Sequence, residues 1–308
     1  MAIHRIHIRP TGGDDERDFA RSFAYCLSQG VLGVGWQVTP ETAQPLSWEE
    51  YEKLATAKYG LEELSRVRYV HDAVKAGDLL WTRDTQGKYF LAKVEPSPAA
   101  AAVGEAWEYL DTEEGRASDV VNVVRCRILP VPNVDDVPGK IVACFRPTRT
   151  IQPIVNETAV LYSKLLWNQL AAQDEFAIPV QEPDLFVYLD AESTEDVIFV
   201  FLQSEGWIVI PNSRKADTMG YEFIAIHPRT HERAIVQVKT GNTALDASCW
   251  AAFGEKVFLF QAHGLYTGVP TGNVVLLAPE AIAAFVQSNL DIMPRDVRRW
   301  AEFARTRA

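Results

Sequence analysis

The segment GYEFIAIHPRTHERAIVQVKTG, residues 220–241, constrains the fold of this chain more than any other stretch. Two apolar runs flank a short polar turn, and this pattern predicts two adjacent antiparallel strands. Both runs suit burial, yet they carry a carboxylate (Glu222), an amide (Gln237) and an ammonium (Lys239). Residues i and i+2 of a strand share a face, so Gln237 and Lys239 point the same way. Glu222, on the neighbouring strand, comes within reach of Gln237.

Those three side chains predict a metal-dependent hydrolytic site. A hard divalent cation such as Mg²⁺, with Mn²⁺ as an alternative, prefers oxygen ligands and keeps several waters. Glu222 and Gln237 would hold the cation, which activates a water for in-line attack on a phosphodiester. Lys239 would stabilise the developing phosphate charge or orient that water. Asp217 is an alternative to Glu222 as the main metal ligand. If Asp217 binds the cation, Glu222 would contact the ligands of the cation and not the cation itself.

In the second half of the chain, predicted helices and strands flank this hairpin, as in an α/β domain. STEDVIFVFLQSEG predicts a helix that Ser193 or Thr194 caps and Gly206 ends. WIVIP, KVFLFQ and NVVLLA predict further strands, and PEAIAAFVQSNL predicts a helix that begins near Pro279. The order helix–strand–strand–strand–helix–strand–strand–helix favours a sheet of four or five strands.

The first half is a strand-rich α+β unit that ends before an aperiodic, proline-containing linker. We place this domain at residues 1–172, the linker at 173–185 and the second domain at 186–308. SWEEYEKLATAKYG predicts a helix after Ser47, with Glu50 completing a capping box, and GDLLWTRDTQGKYFLAKVE predicts a hairpin. Three later elements are predicted: the strands DVVNVVRCRILPV and GKIVACFRP, and the helix ETAVLYSKLLWNQLAA.

Composition narrows the class of protein. The net charge of −11 argues against a broad surface that coats nucleic acid, although it leaves room for a local basic groove. The four cysteines form no C-x-x-C pair, so a zinc site or a disulfide framework is not expected. The beginning of the chain has no apolar signal region, and no apolar run reaches membrane-spanning length. We therefore expect a cytoplasmic protein with no membrane partner.

Residues 184–290 resemble the PD-(D/E)xK nuclease superfamily, and more closely its Mrr-like restriction endonucleases, in which Gln replaces the second acid. The matching residues are Glu195 on the opening helix, Glu222, and Gln237-Val238-Lys239. The central acid of the family is usually Asp, so its place here is divided between Glu222 and Asp217. The resemblance implies a restriction-endonuclease-like mixed sheet flanked by helices. It also implies a homodimeric, Mg²⁺-dependent DNA endonuclease that acts in phage defence, restricting foreign or modified DNA.

Residues 20–150 are similar to PUA-like or EVE-like barrels, on the basis of GVGW and the predicted hairpin. Some of these modules accompany such nucleases and bind a flipped, modified base in an aromatic pocket. The resemblance implies a reader of DNA that carries modified bases. Candidate stacking or phosphate-binding residues for the whole chain are Trp36, Trp81, Tyr89, Trp107, Arg214 and Lys215.

Two other functions remain open at this stage. The chain could be a non-catalytic nucleic-acid-binding protein that retains the nuclease fold; the intact set of acid, Gln and Lys favours catalysis. It could also be an effector in which the first domain binds a small molecule and gates the nuclease.

Overall fold

The computed structural model divides the chain into two compact units, Met1–Ile178 (unit 1) and Pro179–Ala308 (unit 2). It describes residues 1–8, 19–39, 45–98, 105–146, 149–179, 184–210, 213 and 220–305. The division falls within the stretch 173–185. The first residues of that stretch are fixed to unit 1, because the side chain of Asn168 bonds to both the backbone N–H and the carbonyl of Phe176 (3.0 and 2.7 Å).

Unit 1 is a mixed α/β unit. Its strands are β1 (Ile3–Ile6), β2 (Val31–Val34), β3 (Leu79–Arg83), β4 (Tyr89–Val94), β5 (Trp107–Tyr109), β6 (Asn122–Pro130) and β7 (Ile151–Pro153). Its helices are α1 (Phe19–Gln29), α2 (Trp48–Tyr59), α3 (Ser65–Ala73), α4 (Glu113–Ala117), α5 (Gly139–Cys144) and α6 (Glu157–Ala171).

The strands of unit 1 form one mixed sheet with the shape of a half-barrel. The order is β2-β6-β4-β3-β1-β7, and β5 also pairs with β6. Only the pairing of β1 with β3 is parallel in this sheet. A large apolar core lies between the sheet and α1, α2 and α3, and it includes the fully buried Leu32, Tyr51 and Val67.

Several local predictions for unit 1 are confirmed. Ser47 accepts a hydrogen bond from the Glu50 backbone, and the Glu50 side chain accepts one from the Ser47 backbone, so the capping box begins α2. The predicted hairpin is β3 paired antiparallel with β4. The prediction of a strand at GKIVACFRP is wrong, because this run forms α5, whose first turn bonds to the carbonyl of Pro138. A short apolar run has no period that separates a strand from one helical turn.

Unit 2 is built around a mixed five-stranded sheet with helices. Its strands are β8 (Ile208–Val209), β9 (Phe223–Ile226), β10 (Arg233–Lys239), β11 (Leu245–Asp246), β12 (Lys256–Gln261), β13 (Tyr266–Thr267) and β14 (Val274–Leu277). Its helices are α7 (Ala191–Ser204), α8 (Pro279–Ser288) and α9 (Arg295–Arg305). Among the helices of the described ranges in either unit, none combines the length and apolar composition needed to cross a membrane.

The sheet order in unit 2 is β14-β12-β10-β9-β8, and these five strands agree with the prediction of four or five. The predicted hairpin is β9 paired antiparallel with β10, whereas β10, β12 and β14 run parallel. The expected helix between β10 and β12 is only a 3-10 turn, Ala247–Trp250, beside the small β11–β13 ribbon. The predicted cap of α7 is also wrong: Asp190, not Ser193 or Thr194, accepts from the Ser193 N–H and begins the helix.

The two faces of the unit 2 sheet are covered differently. α7 packs behind one face, where its Phe199 ring lies 6.0 Å from the Phe223 ring of β9. On the other face, the β11–β13 ribbon and the 3-10 turn cover an apolar cluster that contains Ile235. Alternation along β10 puts Gln237 and Lys239 on the same face as Ile235, just beyond this cluster.

Candidate functional site

Glu222, Gln237 and Lys239 meet on one face of the unit 2 sheet. Glu222 lies in the bend directly before β9, whose Phe223 pairs with Val236, and the Glu222 N–H donates to the Val236 carbonyl (2.9 Å). The Glu222 side chain lies beside Gln237, whose Nε2 is 2.7 Å from Glu222 Oε1. Lys239 Nζ lies 3.8 Å from the same oxygen. The three side chains thus meet on one face, but Glu222 comes from the bend before β9 and not from the strand that the sequence predicts for it.

Exposure differs among the three side chains. Gln237 is 3% exposed, whereas the side chains of Glu222 and Lys239 are 29% and 45% exposed. Gln237 Nε2 also donates to the carbonyl of Val238 (3.0 Å). The amide is therefore held in the sheet with its nitrogen toward the carboxylate, while the carboxylate and the ammonium reach solvent. A ligand approaching from solvent would meet the charged groups first.

Two side chains of this site, Glu222 and Gln237, carry oxygen atoms that could bind a hard cation. A half-exposed carboxylate and an adjacent amide are oxygen donors of the kind that Mg²⁺ binds alongside waters. The amide would have to turn so that Oε1, rather than Nε2, faces the cation. Across the described ranges, no group of three or more His, Cys, Asp or Glu side chains is placed to hold a metal. Glu222 and Gln237 are the oxygen donors that the described residues bring together here.

The other residues predicted for this site are placed differently. Glu195 lies on α7, which packs behind the opposite face of the sheet, so the fold does not bring it onto the face that carries Glu222. Asp217, Arg214 and Lys215 lie outside the described residues. Of the five predicted catalytic residues, the described part of unit 2 joins Glu222, Gln237 and Lys239.

A second buried glutamine, which the sequence analysis missed, adjoins the site. Gln261 pairs with Lys239 across the parallel strands and is fully buried. Its Nε2 donates to the carbonyls of Gly241 and Thr243 (2.7 and 3.2 Å), and its Oε1 accepts from the N–H groups of His263 and Leu265 (2.7 and 2.9 Å). This amide fastens the loops after β10 and β12 to each other. The polar residue ending KVFLFQ was the available signal.

Tyr266 completes the support beneath these loops. Its hydroxyl donates to the carbonyl of Leu277 (2.7 Å) and accepts from the N–H of Gln261 (2.8 Å). Burial raises the pKa of Tyr266 to about 12. The hydroxyl thus keeps its proton at neutral pH and remains a donor.

The aromatic candidates in unit 1 separate into core and cavity residues. Trp81 is fully buried, and its indole N–H donates to Ser163 Oγ (2.9 Å); Tyr89 is 4% exposed and packs edge-on against Phe145. Neither offers a face to a base. Trp36 is half-buried at φ +64°, with the Arg66 guanidinium 5.8 Å from its ring centroid.

Trp107 lines a cavity with a volume of about 320 Å³. Its indole N–H donates to Asn122 Oδ1 (3.2 Å), which fixes the plane of the ring. The Tyr109 hydroxyl both donates to the Val38 carbonyl and accepts from the Val38 N–H (2.8 and 2.9 Å), and burial raises its pKa. The other lining residues are Pro45, Leu46, Ser47, Trp48, Glu49, His71, Glu105 and Glu108.

A scan against models of known protein families, a search of curated proteins and a search of solved structures each found no match for this chain. Function must therefore be inferred from the polar cluster of unit 2 and the cavity of unit 1.

Proposed function

We propose that this chain is a Mg²⁺-dependent DNA endonuclease whose active site contains Glu222, Gln237 and Lys239. The supporting observation is that an amide and an ammonium of β10 and an acid from the bend before β9 meet within 3.8 Å on one sheet face. A solvated polar edge would not require an amide that is 3% exposed to contact a carboxylate. Burial of a polar group is costly unless it is hydrogen-bonded, so the arrangement is specific.

The side chains divide the work of phosphodiester hydrolysis. Glu222 and Gln237 would hold Mg²⁺, or Mn²⁺ in its place, and the bound cation would supply Lewis acidity and a water of lowered pKa. Lys239 carries a charge at the solvent-facing edge of the cluster, where it can donate to a phosphate oxygen as negative charge develops. Before the cation binds, Gln237, which also donates to the Val238 carbonyl, keeps the Glu222 carboxylate in position.

The fold of unit 2 supports this proposal. A helix, α7, precedes a hairpin-containing mixed sheet whose central strand carries Gln237 and Lys239. We propose that this sheet is restriction-endonuclease-like, of the PD-(D/E)xK type, and that the chain acts in the cytoplasm as a homodimer that restricts foreign or modified DNA.

Selectivity is proposed to come from unit 1. Contacts to phosphates position a protein on DNA but carry little sequence information. We propose that the half-barrel of unit 1 is a PUA/EVE-like recognition module. It would read a modified base or, as a second candidate, bind a small ligand that gates the nuclease. The aromatic cavity beside Trp107 favours either form of recognition over a purely structural unit.

Cleavage of plasmid DNA by the full-length protein tests the proposal. Modified and unmodified plasmids would be incubated with Mg²⁺, Mn²⁺ or EDTA, using the wild type, Lys239→Ala and the control Lys256→Ala. Lys256 lies on the adjacent β12 at the opposite end of the strand, beside Glu232. We expect Lys239→Ala to slow cleavage by about 100- to 1,000-fold, the usual loss for a group that stabilises transition-state charge. DNA binding should persist, and Lys256→Ala should cleave at the wild-type rate.

Three outcomes would contradict this function. Cleavage that survives EDTA, or that proceeds unchanged in Lys239→Ala, would place the chemistry elsewhere. Salt-sensitive DNA binding with no cleavage under any metal would instead favour a non-catalytic nucleic-acid-binding protein.

A further inference from the structure

The cavity beside Trp107 is lined by aromatic rings in two orientations. Trp48 and His71 stack face to face, with centroids 3.9 Å apart and planes 10° apart. Trp107 stands nearly perpendicular to both, at 88° to Trp48 and 79° to His71. The rings contact one another, so each restricts the rotation of the next. A ligand in this cavity would meet preformed aromatic surfaces.

The polar lining of the same cavity is acidic. Its described lining residues include three glutamates and no lysine or arginine. Glu108 is neutralised by a two-pronged pair with Arg125 (2.8 and 2.9 Å). Glu49 and Glu105 make no ion pair with any residue in the described ranges. The cavity therefore presents aromatic rings together with two carboxylates that no described ion pair neutralises: Glu105, and Glu49, which is exposed in the first turn of α2.

We propose that this cavity binds a small organic cation of the methylated-ammonium class. The negative face of an aromatic ring attracts a cation, and quaternary ammonium groups are bound in this way by aromatic cages. Glu49 and Glu105 add Coulombic attraction, which is strongest where water is partly excluded. The same two charges repel a phosphate, so of the two forms of recognition proposed for unit 1 they favour the small ligand over a nucleotide at this position. The inference concerns unit 1 and does not depend on nuclease activity in unit 2.

Calorimetric titration of the full-length protein with choline, and with its neutral isostere dimethylbutanol, tests this assignment. The two probes have the same shape and differ in charge. We expect choline to bind about 2- to 30-fold more tightly than the neutral isostere, the range given by a cation on aromatic faces. Equal affinity for both probes, or no binding of choline, would overturn the proposal.

Variants that remove a charge or a ring test which residues cause the preference for choline. Glu105→Gln should weaken choline binding and leave dimethylbutanol binding unchanged, whereas Glu63→Gln, an exposed acid that does not line the cavity, should alter neither. Trp48→Leu should weaken both probes, and circular dichroism would verify its fold. Parallel titrations with deoxycytidine and its methylated form complete the design. Saturable nucleoside binding that Trp48→Leu abolishes, in the absence of choline binding, would assign the cavity to a base and refute the cation.

Discussion

Two glutamines, Gln237 and Gln261, lie on neighbouring strands of the unit 2 sheet, and they are used in opposite ways. Both are buried and both interrupt apolar runs. Gln261 makes four hydrogen bonds, all to backbone groups of two loops. Gln237 instead directs its nitrogen to a partly exposed carboxylate, Glu222, and to one backbone carbonyl.

The difference indicates which amide has a structural role and which has a role in the site. A buried amide whose bonds all go to backbone stabilises the loops and has no capacity left for a ligand. An amide that contacts a solvent-accessible acid can exchange that contact for one to a cation. The same residue type, one strand apart, can thus serve stability or chemistry according to its partners.

The largest effect on stability should follow from Gln261→Leu. The substitution leaves backbone groups of Gly241, Thr243, His263 and Leu265 without their partner, and we expect it to lower the free energy of unfolding of unit 2 by about 2–4 kcal/mol. Gln237→Leu removes contacts to a carboxylate that water can solvate, so we expect a loss of about 1 kcal/mol. Urea unfolding, with hydrogen exchange in β12 to isolate unit 2, compares the two. Equal losses would erase the distinction between the glutamines.

In the same unit, the hydrogen bond to the buried carboxyl of Asp296 does not offset the cost of burying its charge. Asp296 accepts a hydrogen bond from Ser193 Oγ (2.9 Å), but burial, with Asp190 and Asp196 nearby, raises its pKa to about 6 from an ordinary 3.8. In the folded protein the carboxyl holds its proton above the pH at which the unfolded chain releases it. Its contribution to stability is therefore greatest below pH 3.8, falls as the pH rises from about 4 to about 6, and is then constant.

Asp296→Asn should remove this dependence. A shift of about two pKa units corresponds to about 3 kcal/mol at most, so the variant should gain up to that amount at pH 7 and nothing near pH 4. Urea unfolding of the wild type and the variant across this range measures the gain. A variant that is less stable than the wild type at pH 7 would show that the carboxylate is compensated.

The smallest effect is expected in unit 1 at Trp81. Trp81→Phe loses the bond from the indole N–H to Ser163 and part of a buried ring, which should cost about 1–2 kcal/mol. Binding of any ligand in the Trp107 cavity should not change, because Trp81 does not line it. Denaturation and titration of this variant check both statements. If Trp81→Phe lost selective ligand binding without losing stability, Trp81 would again be a candidate stacking residue.

Sequence reasoning reached the hairpin site because strand period is local. Gln237 and Lys239 share a face because side chains alternate along β10, and the hairpin turn brings Glu222, in the bend before β9, beside them. Gln261 was missed because its partners lie in loops, which carry no period. The Trp107 cavity was missed because Trp48 and His71 come from separate helices, α2 and α3, and only tertiary packing brings their rings together.

The cap of α7 and the helix α5 were mispredicted for related reasons. Asp190, Ser193 and Thr194 all have cap-forming side chains, and the choice depends on where the preceding turn ends. GKIVACFRP has β-branched and aromatic residues typical of a strand, yet it forms only a short helix after Pro138. In both cases the sequence permits more than one local structure, and packing selects among them.

Magnesium titration of the full-length protein, followed by NMR of the glutamine side-chain amides, tests the account most directly. If Glu222 and Gln237 hold the cation, the Gln237 amide should shift on titration and return on addition of EDTA. The Gln261 amide, locked to four backbone groups, should shift far less. A Gln237 amide that does not respond to Mg²⁺ at concentrations supporting cleavage, or one that responds identically in Glu222→Gln, would contradict the proposed site.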